Sequence, residues 1–157
     1  MLLNNDAFLG RDTLTDSIKY ALEHPDVAVM QPTILIGDGS QRSNVPPSPK
    51  ASEGRSKGQM LSNGAGSYLT KWGFLWHRGY QTPIEELPQE PGEIFTALGA
   101  GMLIRADVIK KHGLFDEAFF AYFEETDFCW RLWTRGLKIA YLPTDPMWHI
   151  GGQTSPG

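Results

Sequence analysis

Between Phe115 and Arg131 the chain reads F-D-E-A-F-F-A-Y-F-E-E-T-D-F-C-W-R, five acidic residues among seven aromatics. A buried helix face would not tolerate Glu124, Glu125 and Asp127 so close to Phe123 and Phe128 unless the acids faced a cleft. A solvated face would not carry Phe119, Phe120, Tyr122 and Phe123. The pattern predicts a helix that enters at the wall of a pocket, its acidic first turn facing the opening and its later turns buried. A carboxylate placed there can take a proton from a bound hydroxyl, so this stretch is the expected catalytic edge of an enzyme. Asp127 and Arg131, four apart, read as a stabilising pair on the same helix. Asp116 and Glu117 read as a brace for the turn before the aromatic run.

Other stretches offer further chemistry. Met1-Leu2-Leu3 running into Asn4-Asn5-Asp6 reads as a short central strand that delivers polar side chains at its carboxyl end, where open α/β sheets bind ligands. An Asx-turn closing a strand is the plainer account of the same residues. From Tyr68 to Tyr80 the chain carries Trp72, Phe74, Trp76, His77, Arg78 and Tyr80. Such a loop can stack on a sugar or base, or staple itself to the core, and the staple is favoured. Gly99-Ala100-Gly101 lets a backbone or ligand come close but is too short for a dinucleotide fingerprint, and no P-loop is present. His149, alone near a strand end, reads as a packed histidine.

The elements that must position these residues are α and β in alternation. Asp12 or Thr13 opens a helix whose apolar face is Leu14, Ile18, Ala21 and Leu22, and His24-Pro25 ends it. Val27 to Ile36 is β-rich, one strand or two around Pro32, and completes a β-α-β unit with an expected parallel pair. From about 37 to 65 small and polar residues predict a mobile excursion. Ile94 to Leu98 and Met102 to Ile104 read as strands on either side of the glycines. Arg105 to His112 reads as a helix capped by Gly113, and Gly136 ends the acidic helix. In the strand Lys138 to Leu142, Ile139 and Tyr141 share one face and Ala140 and Leu142 the other. These elements together define an α/β class, a mixed sheet flanked by helices.

The chain has 157 residues, 20% of them charged and 41% hydrophobic, which suits one globular domain. Its net charge of −4 makes no case for nucleic acid or for an anionic membrane. The single cysteine, Cys129, cannot form an internal disulfide and agrees with a reducing compartment. No stretch approaches the roughly eighteen apolar residues that a bilayer span needs. Both ends read as abrupt, as in a piece of a longer chain.

Taken in order, L-L-N-N-D-A, N-G-A-G, W-H-R-G, G-A-G-M-L-I-R-A-D-V-I-K-K-H-G-L-F-D-E-A-F-F-A-Y-F-E-E-T-D-F-C-W-R-L, G-L-K-I-A-Y-L-P and W-H-I-G-G resemble a family 2 glycosyltransferase. The likeness is nearest to the bacterial rhamnosyltransferase-like branch that builds cell-surface polysaccharides. It covers nearly the whole chain and is most specific from Gly99 to Gly152. It implies a GT-A fold, a nucleotide-diphospho-sugar donor, a saccharide or lipid-linked saccharide acceptor, inversion at the anomeric carbon and a divalent metal, Mg²⁺ or Mn²⁺. It also implies a cytoplasmic enzyme, working at the inner face of the plasma membrane where it associates peripherally.

Residue by residue, the resemblance makes Asp6 the carboxylate that meets the metal, with Asn4 in place of the family's first acid. Glu124-Glu125-x-Asp127 falls on the family's Glu-Asp-x-Asp, which makes Glu125 the base and leaves Glu124 as the alternative. His149 falls on a histidine that ligates metal in some members. Asn4, Asn5, Trp76, Arg78, Gly99, Ala100, Gly101 and Asp127 are the implied donor- or acceptor-binding residues. The family's opening βα units, which hold the base and ribose, have no counterpart here. The chain is therefore expected to be the C-terminal portion of a single, N-terminally truncated GT-A domain. The rival expectation is a catalytically incomplete fragment or scaffold of that lineage.

Overall fold

The computed structural model describes residues 1–37, 60–119 and 122–150. The elements are β1 (Leu2–Leu3), β2 (Ala7–Phe8), α1 (Thr13–Glu23), β3 (Val27–Ile36), β4 (Ser62–Gly64), β5 (Ser67–Leu69), β6 (Leu75–His77), a 3₁₀ turn (Ile84–Glu86), β7 (Gly92–Glu93), β8 (Gly101–Ile104), α2 (Ala106–His112), α3 (Glu124–Trp133) and β9 (Lys138–His149). The main sheet is mixed and runs β1-β8-β3-β9-β2, with β4 added to β3 and β7 to β9. Helices flank it, so the α/β class holds.

The centre of the sheet is the parallel pair β3 and β9. Nine of the ten residues of β3 are buried, as befits a strand covered on both faces. Pro32, which has no N–H to give a ladder, sits where the register against β9 shifts between Pro32 and Ile34. One continuous strand therefore absorbs it. The two faces of β9 divide as the alternation demands. Ile139 and Tyr141 join Phe128, Cys129 and Leu132 of α3 in one core. Ala140 and Leu142 join Val27, Met30 and Leu103 in another, against Tyr20 and Ala21 of α1. Strand β9 also runs on through Pro143 and Pro146 to His149, so the separate segment expected around Trp148 is its far end.

Several expectations are corrected. Strand β1 lies at the edge and pairs antiparallel with β8, so it is not central. The β-α-β unit does not give hydrogen-bonded neighbours: β8 is antiparallel to both β1 and β3 and lies between them. Residues 94–98 form no strand; Ile94 and Ala97 are buried in irregular backbone, bridged to the body through Ser67 and Thr96. The excursion expected at 37–65 includes β4, whose residues Ser62 and Gly64 are buried against β3. Its stretch from 38 to 59 lies outside the described residues.

The largest reversal concerns α1. Leu14, Ile18 and Leu22 face outward, while Thr13 and Ser17 are buried. Those hydroxyls are satisfied, Thr13 Oγ1 donating to the Asp145 carbonyl at 2.6 Å and Ser17 Oγ to the Thr13 carbonyl at 2.7 Å. Small, hydrogen-bonded side chains let the helix approach β9 closely at low cost. The aromatic loop also departs from expectation. It is a hairpin of β5 and β6, and Trp72, Phe74 and Trp76 are 70–76% exposed, so they staple nothing.

Candidate active site

Strands β2 and β9 pair with Ala7 opposite His149, which brings the two ends of the described chain together. The Ile150 amide donates to the Asp6 carbonyl at 3.0 Å and the Gly37 amide to the His149 carbonyl at 2.9 Å. Backbone bonds thus fix both residues before their side chains meet. Asp6 Oδ1 lies 3.3 Å from His149 Nε2, and the Asn4 amide nitrogen is also 3.3 Å from that ring nitrogen. The side chains of His149 and Asp6 are only 15% and 13% exposed. On the other side of the ring the Asn63 amide lies 2.9 Å from Nδ1. Three side chains from two distant segments, Asn4 and Asp6 from one and Asn63 from the other, therefore converge on the His149 imidazole.

Asn63 decides what that imidazole can do. If its carbonyl oxygen faces Nδ1, the ring carries its proton there and Nε2 offers a lone pair towards Asp6 and Asn4. With the amide nitrogen facing Nδ1, as it stands here, Nδ1 accepts from Asn63 and Nε2 carries the proton and donates to Asp6. Metal ligation requires the first arrangement, in which the partner on Nδ1 sets the tautomer.

Glu125 reaches the opposite end of the same turn. A Cβ built on Gly99 would sit 3.9 Å from the Glu125 carboxyl carbon, and the next carbonyl, that of Ala100, accepts from the Asn4 amide at 3.2 Å. Gly99-Ala100 thus separates the carboxylate of α3 from the Asn4–Asp6 turn. Gly101 serves packing, because a Cβ there would collide with the Met147 sulfur. Burial, with a smaller push from Glu124, holds the Glu125 carboxyl above the usual glutamate range despite a backbone hydrogen bond that favours the charged form. Desolvation thus outweighs the helix N-terminus, whose dipole favours the ionised form. Glu124 Oε2 is buried and has no hydrogen-bond partner among the described residues. Such an acceptor is costly to leave unmet.

The backbone just ahead of these two acids is strained. Tyr122 and Phe123 have φ of 69° and 67°, a left-handed pair of bulky residues. Consecutive outliers of this kind persist only where surrounding structure enforces them, and they accumulate at ligand-handling sites. Asp127 turns away to Arg131 Nε at 2.7 Å, and that guanidinium also donates to the Leu114 carbonyl, so both residues brace the approach to α3. The Ala118 amide donates to Asp116 Oδ1 at 2.9 Å, the turn brace read from the sequence. Cys129, with its thiol pushed up to about 11 by burial, is not a nucleophile at neutral pH.

Trp76 and Arg78 lie apart from this cluster. Trp76 pairs with Tyr68 across the hairpin, and the Arg78 guanidinium stacks over Tyr68 at 5.6 Å. Asn5 makes no described side-chain contact that bears on the cluster. Two contributors are absent from the sequence-derived set. Asn63 is one. Gln31 is the other, a fully buried side chain whose amide donates to the Gly64 carbonyl at 2.9 Å and whose oxygen accepts from the Leu98 amide at 2.8 Å. It ties the residue after Asn63 to the residue before Gly99. A glutamine inside the run V-A-V-M-Q-P-T-I-L-I was the available signal.

The donor set fits a divalent cation only in part. A carboxylate and an imidazole side by side suit an ion that takes its other ligands from phosphate oxygens and water. Among the described residues no group of three or more His, Cys, Asp or Glu side chains forms a metal cluster. No helix among them is long and apolar enough to cross a membrane. Comparison with protein-family models, with curated proteins and with solved structures finds no match to this chain.

Proposed function

We propose that the chain carries the acceptor-activating and diphosphate-facing side of an inverting glycosyltransferase of GT-A type, acting in the synthesis of a cell-surface polysaccharide. The observation that carries the reading is the convergence of Asn4, Asp6 and His149, with Glu125 held across the Gly99-Ala100 turn. These positions belong to three separate motifs of the resemblance, and chance packing gives no reason for them to meet.

In the proposed reaction an acceptor hydroxyl oxygen attacks the anomeric carbon of a nucleotide-diphospho-sugar. A new carbon–oxygen bond forms as the bond to the diphosphate oxygen breaks, and the hydroxyl proton passes to the Glu125 carboxylate. Burial makes that carboxylate a stronger base than a solvated glutamate. Glu124 Oε2, unpartnered and close in sequence, can accept a hydrogen bond from a second acceptor hydroxyl. Asp6 and His149 would hold the cation, Asn63 fixing the ring and Asn4 narrowing the opening. A divalent ion there supplies positive charge to the departing diphosphate. Trp76 and Arg78, whose side chains make no described contact with Asn4, Asp6, Asn63 or His149, are given no part in the reacting centre.

The test pairs turnover with binding. Glu125→Gln is expected to lower sugar transfer by about 10²–10⁴-fold while donor affinity in titration calorimetry with Mn²⁺ stays unchanged. Asp6→Ala is expected to weaken that Mn²⁺-dependent affinity. Full transfer by Glu125→Gln would remove the base, and an unchanged metal requirement in Asp6→Ala would remove the cation site. The second reading, a catalytically incomplete relative, is favoured by the lack of a third ionisable ligand beside Asp6 and His149 among the described residues. Silence across a panel of nucleotide diphosphates would select it.

A further inference from the structure

The β5–β6 hairpin reverses the usual rule for a surface sheet. On a strand, alternate residues share a face, so Tyr68, Phe74 and Trp76 lie on one side, with Trp72 at the turn. A solvated face would carry polar residues there; this one is aromatic, and Trp72, Phe74 and Trp76 are its most exposed members. The inward side is held to the body by the Ser67 amide donating to the Thr96 carbonyl at 3.0 Å and the Phe95 amide donating to the Ser67 carbonyl at 2.8 Å, while Ser67 Oγ against His77 Nδ1 at 2.8 Å ties the two strands of the hairpin together. The turn is fixed too, since the Phe74 amide donates to Thr70 Oγ1 at 3.0 Å. The aromatics are thus displayed on a rigid support.

Charge narrows the choice of occupant. Residues 60–83 contain Lys71 and Arg78 and no aspartate or glutamate, in a chain whose net charge is −4. Both cations are folded onto the aromatic face, Lys71 Nζ 5.1 Å from the Trp72 ring centre and Arg78 5.6 Å from that of Tyr68. The tip projects: a Cβ on Gly73 would find nothing within 4 Å. A projecting tip cannot enclose a small ligand, which needs a concave site. A two-fold pairing with a second copy would set Lys71 and Arg78 close to like charges. Tryptophans flanked by basic residues on a projecting face match the headgroup layer of an anionic bilayer, where indole rings settle and cations meet lipid phosphates.

We propose that the β5–β6 hairpin is a membrane-docking element, inserting Trp72, Phe74 and Trp76 into the headgroup layer of an anionic bilayer with Lys71 and Arg78 on its phosphates. This is independent of sugar transfer. The test is co-sedimentation of the chain with phosphatidylglycerol–phosphatidylcholine vesicles and with phosphatidylcholine vesicles, without donor or acceptor. Binding to the anionic vesicles is expected to fall at least tenfold in W72A/F74A/W76A, a floor well below the full loss of three buried large side chains. It is expected to fall about fivefold for each charge removed in K71A and R78A at low salt, and less at high salt. Trp72, Phe74, Trp76 and Lys71 are exposed and Arg78 is half-buried, and an unchanged circular dichroism spectrum verifies the fold of each variant. No binding by the native chain, or equal binding by the triple variant, overturns the proposal. So does a native chain that self-associates in the centrifuge through these residues and ignores vesicles.

Discussion

Helices α1 and α3 carry comparable amphipathic patterns and settle in opposite ways. On α3 the sequence stripe Phe128 and Leu132 is fully buried. On α1 the stripe Leu14, Ile18 and Leu22 faces solvent, and the hydroxyls of Thr13 and Ser17 face the sheet. The difference lies in what each polar residue finds when buried. Thr13 and Ser17 reach backbone carbonyls and lose little by leaving water. Glu124 and Glu125 on α3 enter partial burial as well, and there Glu124 Oε2 stays unmet among the described residues. A pattern of apolar residues therefore marks a helix; hydrogen-bond satisfaction decides which face is tolerated inside. Where a buried polar group goes unsatisfied, function is the reason to look for first.

Substitutions can break this contrast in order of size. Phe128→Ala should destabilise the chain by about 3–5 kcal/mol in denaturant unfolding, because its ring fills the core between α3 and β9. A cost near zero would mean that the α3 stripe is no more essential than that of α1. Glu125→Gln, which should abolish transfer, is expected to raise stability at neutral pH. Its folded-state pKa lies above the usual 4.5, so ionisation at high pH works against the folded state. The gain should be present at pH 7 and vanish as pH falls below the ordinary glutamate range, in thermal midpoints measured across pH. A gain that persists at low pH would contradict burial as the cause. Leu22→Lys, at a side chain 78% exposed, should change stability by no more than about 0.5 kcal/mol. A large loss there would show that the α1 stripe is covered in solution.

The local chemistry of the site was legible in the chain, and its assembly less so. The acidic entry of α3, the Asp127–Arg131 pair, the Gly113 cap and the two faces of β9 follow from spacing, because they depend on residues a few positions apart. Asp6 and His149 were named from the resemblance, yet nothing local states that β2 and β9 pair with Ala7 opposite His149. Asn63 and Gln31 escaped notice because each acts through a contact more than thirty residues away in sequence. Tyr68 to Tyr80 misled for a related reason. Aromatic content predicts burial on average, and a three-residue strand pair leaves one of its faces without a partner.

By itself the sequence determined which segments are helical, where they stop and which residue types could move a proton, since these rest on short-range sterics and side-chain chemistry. The tertiary structure alone decided that β8 inserts between β1 and β3, that α1 turns its hydroxyls inward, and that one imidazole gathers side chains from two distant segments. Those outcomes depend on long-range strand pairing and on the desolvation of groups that meet only once the sheet has formed.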